Sequence, residues 1–145
     1  MLHRRILLLA SALLALSLVL LFPGAGPAGA QDADIAGVWR GTYTCAQGVT
    51  GLVLRITGSG EAVTARFEFF PDPSNPGVAS GTYTMTGRYD TKSRALALRQ
   101  ERWVDQPQGY IMVDLDGILS ADGRTLAGRV GHESCSGFTV SRADK

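Results

Sequence analysis

The chain of 145 residues has room for one domain. Its 14 basic and 13 acidic residues leave a formal net charge of +1. With no block of like charge, that balance excludes a basic stripe for phosphate backbones and a polybasic membrane anchor, so nucleic acid is not an expected partner. Of the two histidines one lies at position 3 and one at 132, and the single His in the body of the chain cannot anchor a multi-His metal centre.

The first thirty residues differ from the rest. Met1-Leu2-His3-Arg4-Arg5 is a short basic start, Ile6 to Phe22 is an uncharged Leu-rich run, and Pro23-Gly24 breaks any helix. Ala28-Gly29-Ala30 then supplies the small-x-small pattern that a signal peptidase cuts after. The apolar run is near the lower limit for crossing a bilayer, but the breakers and the cleavage pattern point to a removable leader. The expectation is a signal peptide over 1–30, a domain over 31–145, a secreted or periplasmic location, and no stable membrane insertion after cleavage. Arg4 and Arg5 leave with the leader while all 13 acidic residues stay, so the remaining domain carries a net charge of −1.

From Ile35 onward the sequence alternates apolar and polar residues between turns. Eight strands are expected, near 36–45, 52–58, 62–70, 81–90, 94–102, 110–120, 124–131 and 136–143. The first sets Trp39, Gly41, Tyr43 and Cys45 on one face. The second and third bury Leu52, Leu54 and Ile56, then Val63, Ala65, Phe67 and Phe69. The fourth turns Tyr83, Met85, Gly87 and Tyr89 inward, and the fifth Leu96 and Leu98. Trp103 falls on the opposite parity, which implies a bulge or an early strand end. The sixth sets Ile111, Val113, Leu115 and Leu119 against Met112, Asp114 and Asp116. Leu126, Gly128 and Val130, then Phe138, Val140 and Arg142, complete the series. A period of two with Thr and charge opposite is the pattern of a sheet buried on one side.

Cys45 and Cys135 form an even pair in an exported chain, which reads as a disulfide rather than a reactive thiol or metal ligand. Cys45 ends the first strand and Cys135 precedes the last, so a bridge would staple strands one and eight and close the sheet. The fold class is therefore an all-β, eight-stranded antiparallel up-and-down barrel, with a jelly roll or sandwich as the alternative. Tight turns at 58–61, 90–93 and 121–124 would form a floor. Connections at 46–51, 71–80, 103–109 and 131–136 would form an elaborated mouth.

Gly37-Val38-Trp39 in the first strand, with Arg142 on matching parity in the last, resembles the calycin signature of lipocalins and avidins. The resemblance implies that Arg142 covers Trp39 at the closed end, a cation over an indole, with Gly37, Trp39 and Arg142 as structural residues. The chain is short for a lipocalin and lacks an obvious C-terminal helix. Its Gly81-Thr82-Tyr83 and Gly87-Arg88-Tyr89 strands look more like avidins, without a matching biotin-ligand set. The stretch from Gly37 through Gly51 also resembles an uncharacterised bacterial secreted module sometimes appended to caspase-like peptidases, which implies an accessory role.

No catalytic or metal constellation rises above background, so the chain is read as non-enzymatic and without cofactor. His132-Glu133-Ser134 unites a base, a carboxylate and a hydroxyl, but neighbours in sequence are expected to point apart. Asp114 and Asp116 read as solvated charge, and the inward Gly41, Gly87, Gly117 and Gly128 leave either a cavity or room for tight coiling. The candidate binding residues are Gln47, Thr50, Asn75, Trp103, Gln106, Gln108, Tyr110 and His132, all at the mouth. Their amides and aromatics suit a small apolar or carbohydrate-like ligand. A second reading is a protein-interaction domain, such as a protease inhibitor or an envelope adaptor, with a filled barrel and an envelope or extracellular protein as partner.

Overall fold

A computed structural model describes residues 34–143. The expected leader, its expected cleavage after Ala30 and the expected domain start at 31 lie outside the described residues. Eight strands follow in order: β1 (Gly37–Cys45), β2 (Gly48–Ser59), β3 (Ala62–Pro71), β4 (Gly81–Asp90), β5 (Ala95–Asp105), β6 (Leu115–Leu119), β7 (Thr125–Val130) and β8 (Gly137–Arg142). Each pairs antiparallel with the next, and β1 pairs with β8, so the sheet is a closed up-and-down barrel. The β1–β8 register runs from Trp39↔Arg142 to Tyr43↔Phe138. Just beyond it, the Ser136 N–H donates to the Thr44 carbonyl at 3.0 Å and Cys45 is bonded to Cys135.

Alternation produces the core directly. Trp39, Leu52, Leu54, Phe67, Met85, Leu98, Leu115, Leu119 and Leu126 are all fully buried. Side chains fill the interior, as an eight-stranded barrel allows. In its mouth half the filling is aromatic: Tyr43 meets Phe67 edge-on at 5.2 Å, and Phe67 stacks on Tyr83 at 4.6 Å. The inward glycines leave no void. A Cβ on Gly41 would lie 2.1 Å from the Thr139 carbonyl oxygen, and one on Gly128 2.0 Å from that of Asp116. These positions are glycine because neighbouring strands cross there at a distance that excludes a side chain, as tight coiling requires.

The floor is tied together by Arg142. Its guanidinium carbon lies 4.2 Å from the centroid of the Trp39 ring. It donates to the carbonyls of Ala36 at 2.8 Å and Gly123 at 3.2 Å, and also to that of Asp34. The Trp39 indole N–H donates to Ile35 O at 3.0 Å. Gly37 has φ +140°, and a Cβ there would meet Arg142 Nη1 at 2.8 Å, so the residue two before the Trp must be bare.

Three boundaries differ from the sequence expectation. The connection read as 46–51 is a two-residue turn, Ala46-Gln47, because Cys45 pairs with Gly48. Gly48 takes φ +91°, which lets the chain reverse at once, and Val49 and Thr50 continue as strand. Strand five carries the bulge expected near Trp103 and runs on to Asp105 rather than ending near 102. Glu101 and Val104 are extra residues against β4, and the first of these bulges turns Trp103 inward opposite Tyr83. Strand six begins at Leu115 rather than 110, and Ile111 is exposed instead of inward.

The shortened sixth strand has a local cause. The Tyr83 hydroxyl donates to Val113 O at 3.0 Å and accepts from Val113 N at 3.2 Å, drawing 110–114 across the mouth and away from β5. Beyond Leu98, β5 therefore has no strand beside it on the β6 side. The Asp114 carboxylate substitutes in part, accepting from Gln100 N at 2.9 Å, while Arg99 pairs with Asp116 at 2.8 Å. Tyr83→Phe leaves both backbone groups of Val113 without that partner, and a loss of roughly 1–3 kcal/mol is expected. Hydrogen exchange at the Val113 amide is the check: unchanged protection would show that something else holds the segment.

Candidate functional site

The mouth end carries the turn 46–47 and the longer connections 72–80, 106–114 and 131–136. Between them lies a cup of about 290 Å³, lined by Tyr43, Gln47, Tyr83, Tyr110, Ile111, Val113, His132, Ser134 and the Cys45–Cys135 bridge, with Ala46 and Gly109 at its edge. The floor of the cup is the top of the aromatic core. Larger hollows of about 560 and 590 Å³ lie on the outer surface around Arg88, Ala97 and Arg99, open depressions on the outer face of the curved sheet.

Each polar wall group is held by its neighbours. Gln47 Nε2 donates to the Tyr43 hydroxyl and to Thr50 Oγ1, both at 3.2 Å. Thr50 Oγ1 in turn donates to Gly48 O at 3.1 Å. Burial, then the nearby Tyr110 hydroxyl, pushes the Tyr43 phenol far above its ordinary range, so it stays protonated. Burial does the same to Tyr83. Tyr110 stacks on Phe69 at 5.3 Å, and its hydroxyl accepts from Ala79 N at 3.1 Å, joining the loops 72–80 and 106–114.

His132 and Ser134 do touch, contrary to the divergence expected of sequence neighbours. The turn at 131–136 brings Nδ1 to 2.7 Å from Ser134 Oγ, and Ser134 N donates to the same nitrogen at 3.2 Å. No carboxylate among the described residues bonds to the imidazole, so the pair lacks the third group that orients a catalytic base. Among the described residues no three His, Cys, Asp or Glu side chains gather as a metal site would.

Of the eight binding candidates, the cup brings together Gln47, Tyr110 and His132. Thr50 is fully buried beneath Gln47. Asn75 is a clamp: its Nδ2 donates to the carbonyls of Gln47 at 2.6 Å and Val49 at 3.1 Å. Trp103 packs against Tyr83 at 5.2 Å and Phe69 at 6.2 Å. Gln106 Nε2 donates to Tyr110 O at 3.3 Å, within its own loop. Gln108 is exposed and away from the cup. Sequence reasoning missed Tyr43, Tyr83 and Val113 as wall residues. The signal was present, since inward parity close to the mouth end of a strand places a side chain at the cup's base.

Fold and cup together define the molecule by architecture: a disulfide-closed up-and-down barrel, filled below and hollowed at one end. No protein-family model, no curated protein and no solved structure matches the chain.

Proposed function

We propose that this protein is an exported, non-enzymatic binding module that seats a small apolar or carbohydrate-like ligand in the mouth cup. The observation that carries the reading is the cup itself, the hollow walled by side chains at the looped end of an otherwise filled barrel. Such a site, apolar and aromatic with a few convergent polar groups, is the usual form of a small-molecule pocket. Export is supported by the leader pattern and by the Cys45–Cys135 bridge, which suits a non-reducing compartment. A calycin-like relationship is supported by the floor made by Gly37, Trp39 and Arg142.

The second reading, a protein-interaction domain such as an inhibitor or envelope adaptor, is favoured by one observation. Val49, Phe70, Val104 and Ile111 are exposed large hydrophobics, all at the mouth end. Titration of ¹⁵N-labelled oxidised protein with a library of small neutral and apolar compounds separates the two. Saturable shifts at 43–47, 109–113 and 132–135 are expected, weakened severalfold by Ile111→Asp at a residue that is 59% exposed. Shifts absent from the cup across the whole library would discard the ligand reading in favour of a protein partner.

A further inference from the structure

The chemistry of the wall narrows the ligand further, resting on the binding reading above. No Asp, Glu, Lys or Arg lines the cup. The four mouth connections hold Asp72, Asp114 and Glu133 and no Lys or Arg at all. A carboxylate or phosphate entering the cup would lose water and find no counter-charge in the wall. An acyl chain fares no better, because Phe67, Tyr83 and Leu52 fill the barrel beneath and leave it nowhere to run.

The hydrogen bonds inside the wall fix what remains on offer. Both Gln47 amide protons are engaged, by Tyr43 and Thr50, which leaves Oε1 as an acceptor without a partner among the described residues. The Tyr43 hydroxyl accepts from Gln47 and keeps its own proton to donate. Ser134 N–H donates to Nδ1 of His132, so a neutral imidazole carries its proton on Nε2, a second donor. One acceptor and two donors thus stand among the apolar surfaces of Tyr110, Ile111 and Val113. A hydroxyl both donates and accepts, and a sugar ring pairs hydroxyl edges with a C–H face that suits an aromatic wall.

We infer that the ligand is an uncharged, hydroxyl-bearing ring, a neutral sugar unit, held by Gln47, Tyr43 and His132. At about 290 Å³ the cup lies at the small end of ligand cavities. One ring enters, and further units of a chain would extend out over the rim.

The test is a set of ¹⁵N-labelled titrations of the oxidised protein with neutral monosaccharides and their disaccharides, the matching uronates, and hexanol as an apolar probe. The expected result is saturable shifts at the cup with at least one neutral sugar, with the matching uronate at least tenfold weaker. His132→Phe, which keeps a ring and loses the donor, should weaken the sugar at least fivefold, while His132→Gln, which restores an N–H, should recover most of it. Hexanol saturating the cup while every sugar fails overturns the inference and leaves the binding-module reading standing. A uronate bound as tightly as its neutral parent overturns the charge argument. Absence of every probe from the cup removes both.

Discussion

Reduction of Cys45–Cys135 should lower the stability of the barrel by about 2–5 kcal/mol, the largest effect available without touching the core. The bridge closes a loop spanning a sequence separation of 90 residues. For a loop of that size the chain-entropy argument puts the constraint on the unfolded ensemble near the top of that range, at about 4.6 kcal/mol. The position matters as well as the length. The bridge sits just past Tyr43↔Phe138, where the β1–β8 ladder ends at the mouth, so it ties the two chain-terminal strands where their hydrogen bonds stop. Urea and thermal unfolding of oxidised protein, reduced protein and the Cys45→Ala/Cys135→Ala pair measure it. A melting shift on the order of 10–20 °C is expected for a domain of this size. Equal midpoints would show that the seam holds without its staple. The bridge also forms part of the cup wall, so ligand affinity should fall in reduced protein that remains folded.

Trp39→Ala should cost about 3–5 kcal/mol, the range for removing a fully buried large aromatic. Trp39 is entirely shielded from solvent, and its loss also removes the surface on which the Arg142 guanidinium lies. Arg142→Ala should cost less than Trp39→Ala yet more than an ordinary surface change, since it removes bonds to Asp34, Ala36 and Gly123 that join the segment ahead of β1 to the β6–β7 turn. Because the two side chains share one contact, their effects should not add. A double-mutant cycle should return a coupling of about 0.5–2 kcal/mol. Additivity within about 0.3 kcal/mol would mean that stacking contributes nothing, leaving Arg142 as a backbone tie only.

The barrel was legible because its physics is local and repetitive. A sheet wet on one side and packed on the other must alternate, and Leu52, Leu54, Ile56 and Phe67, Phe69 do so, although Val53 on the opposite face of β2 is buried as well. The closing seam followed from the positions of two cysteines. What escaped was set by contacts between distant residues. Nothing in Tyr110 to Asp114 announces that a hydroxyl from Tyr83 will hold Val113 out of the sheet. Gln47 and Thr50 were singled out as loop residues, but Gly48 shortened their loop to a turn and left Thr50 buried. Asn75 and Trp103 have the composition of recognition residues, yet one clamps a turn and the other completes the core, roles that composition alone does not distinguish. Bulge parity is the exception: the position of Trp103 on the wrong face of an alternating strand announces the irregularity in the sequence itself.

The stretch of β5 past Leu98 that lacks a sixth-strand neighbour is the sort of bare margin onto which stray polypeptide can zip. Here the margin is spoiled as a template. Glu101 and Val104 each throw the backbone out of step, and Glu101, Arg102 and Asp105 set exposed charge along the same short run. An incoming chain would meet donors and acceptors that fall out of phase twice in succession. The irregularity that turns one tryptophan into the core thereby also guards the gap against unwanted association.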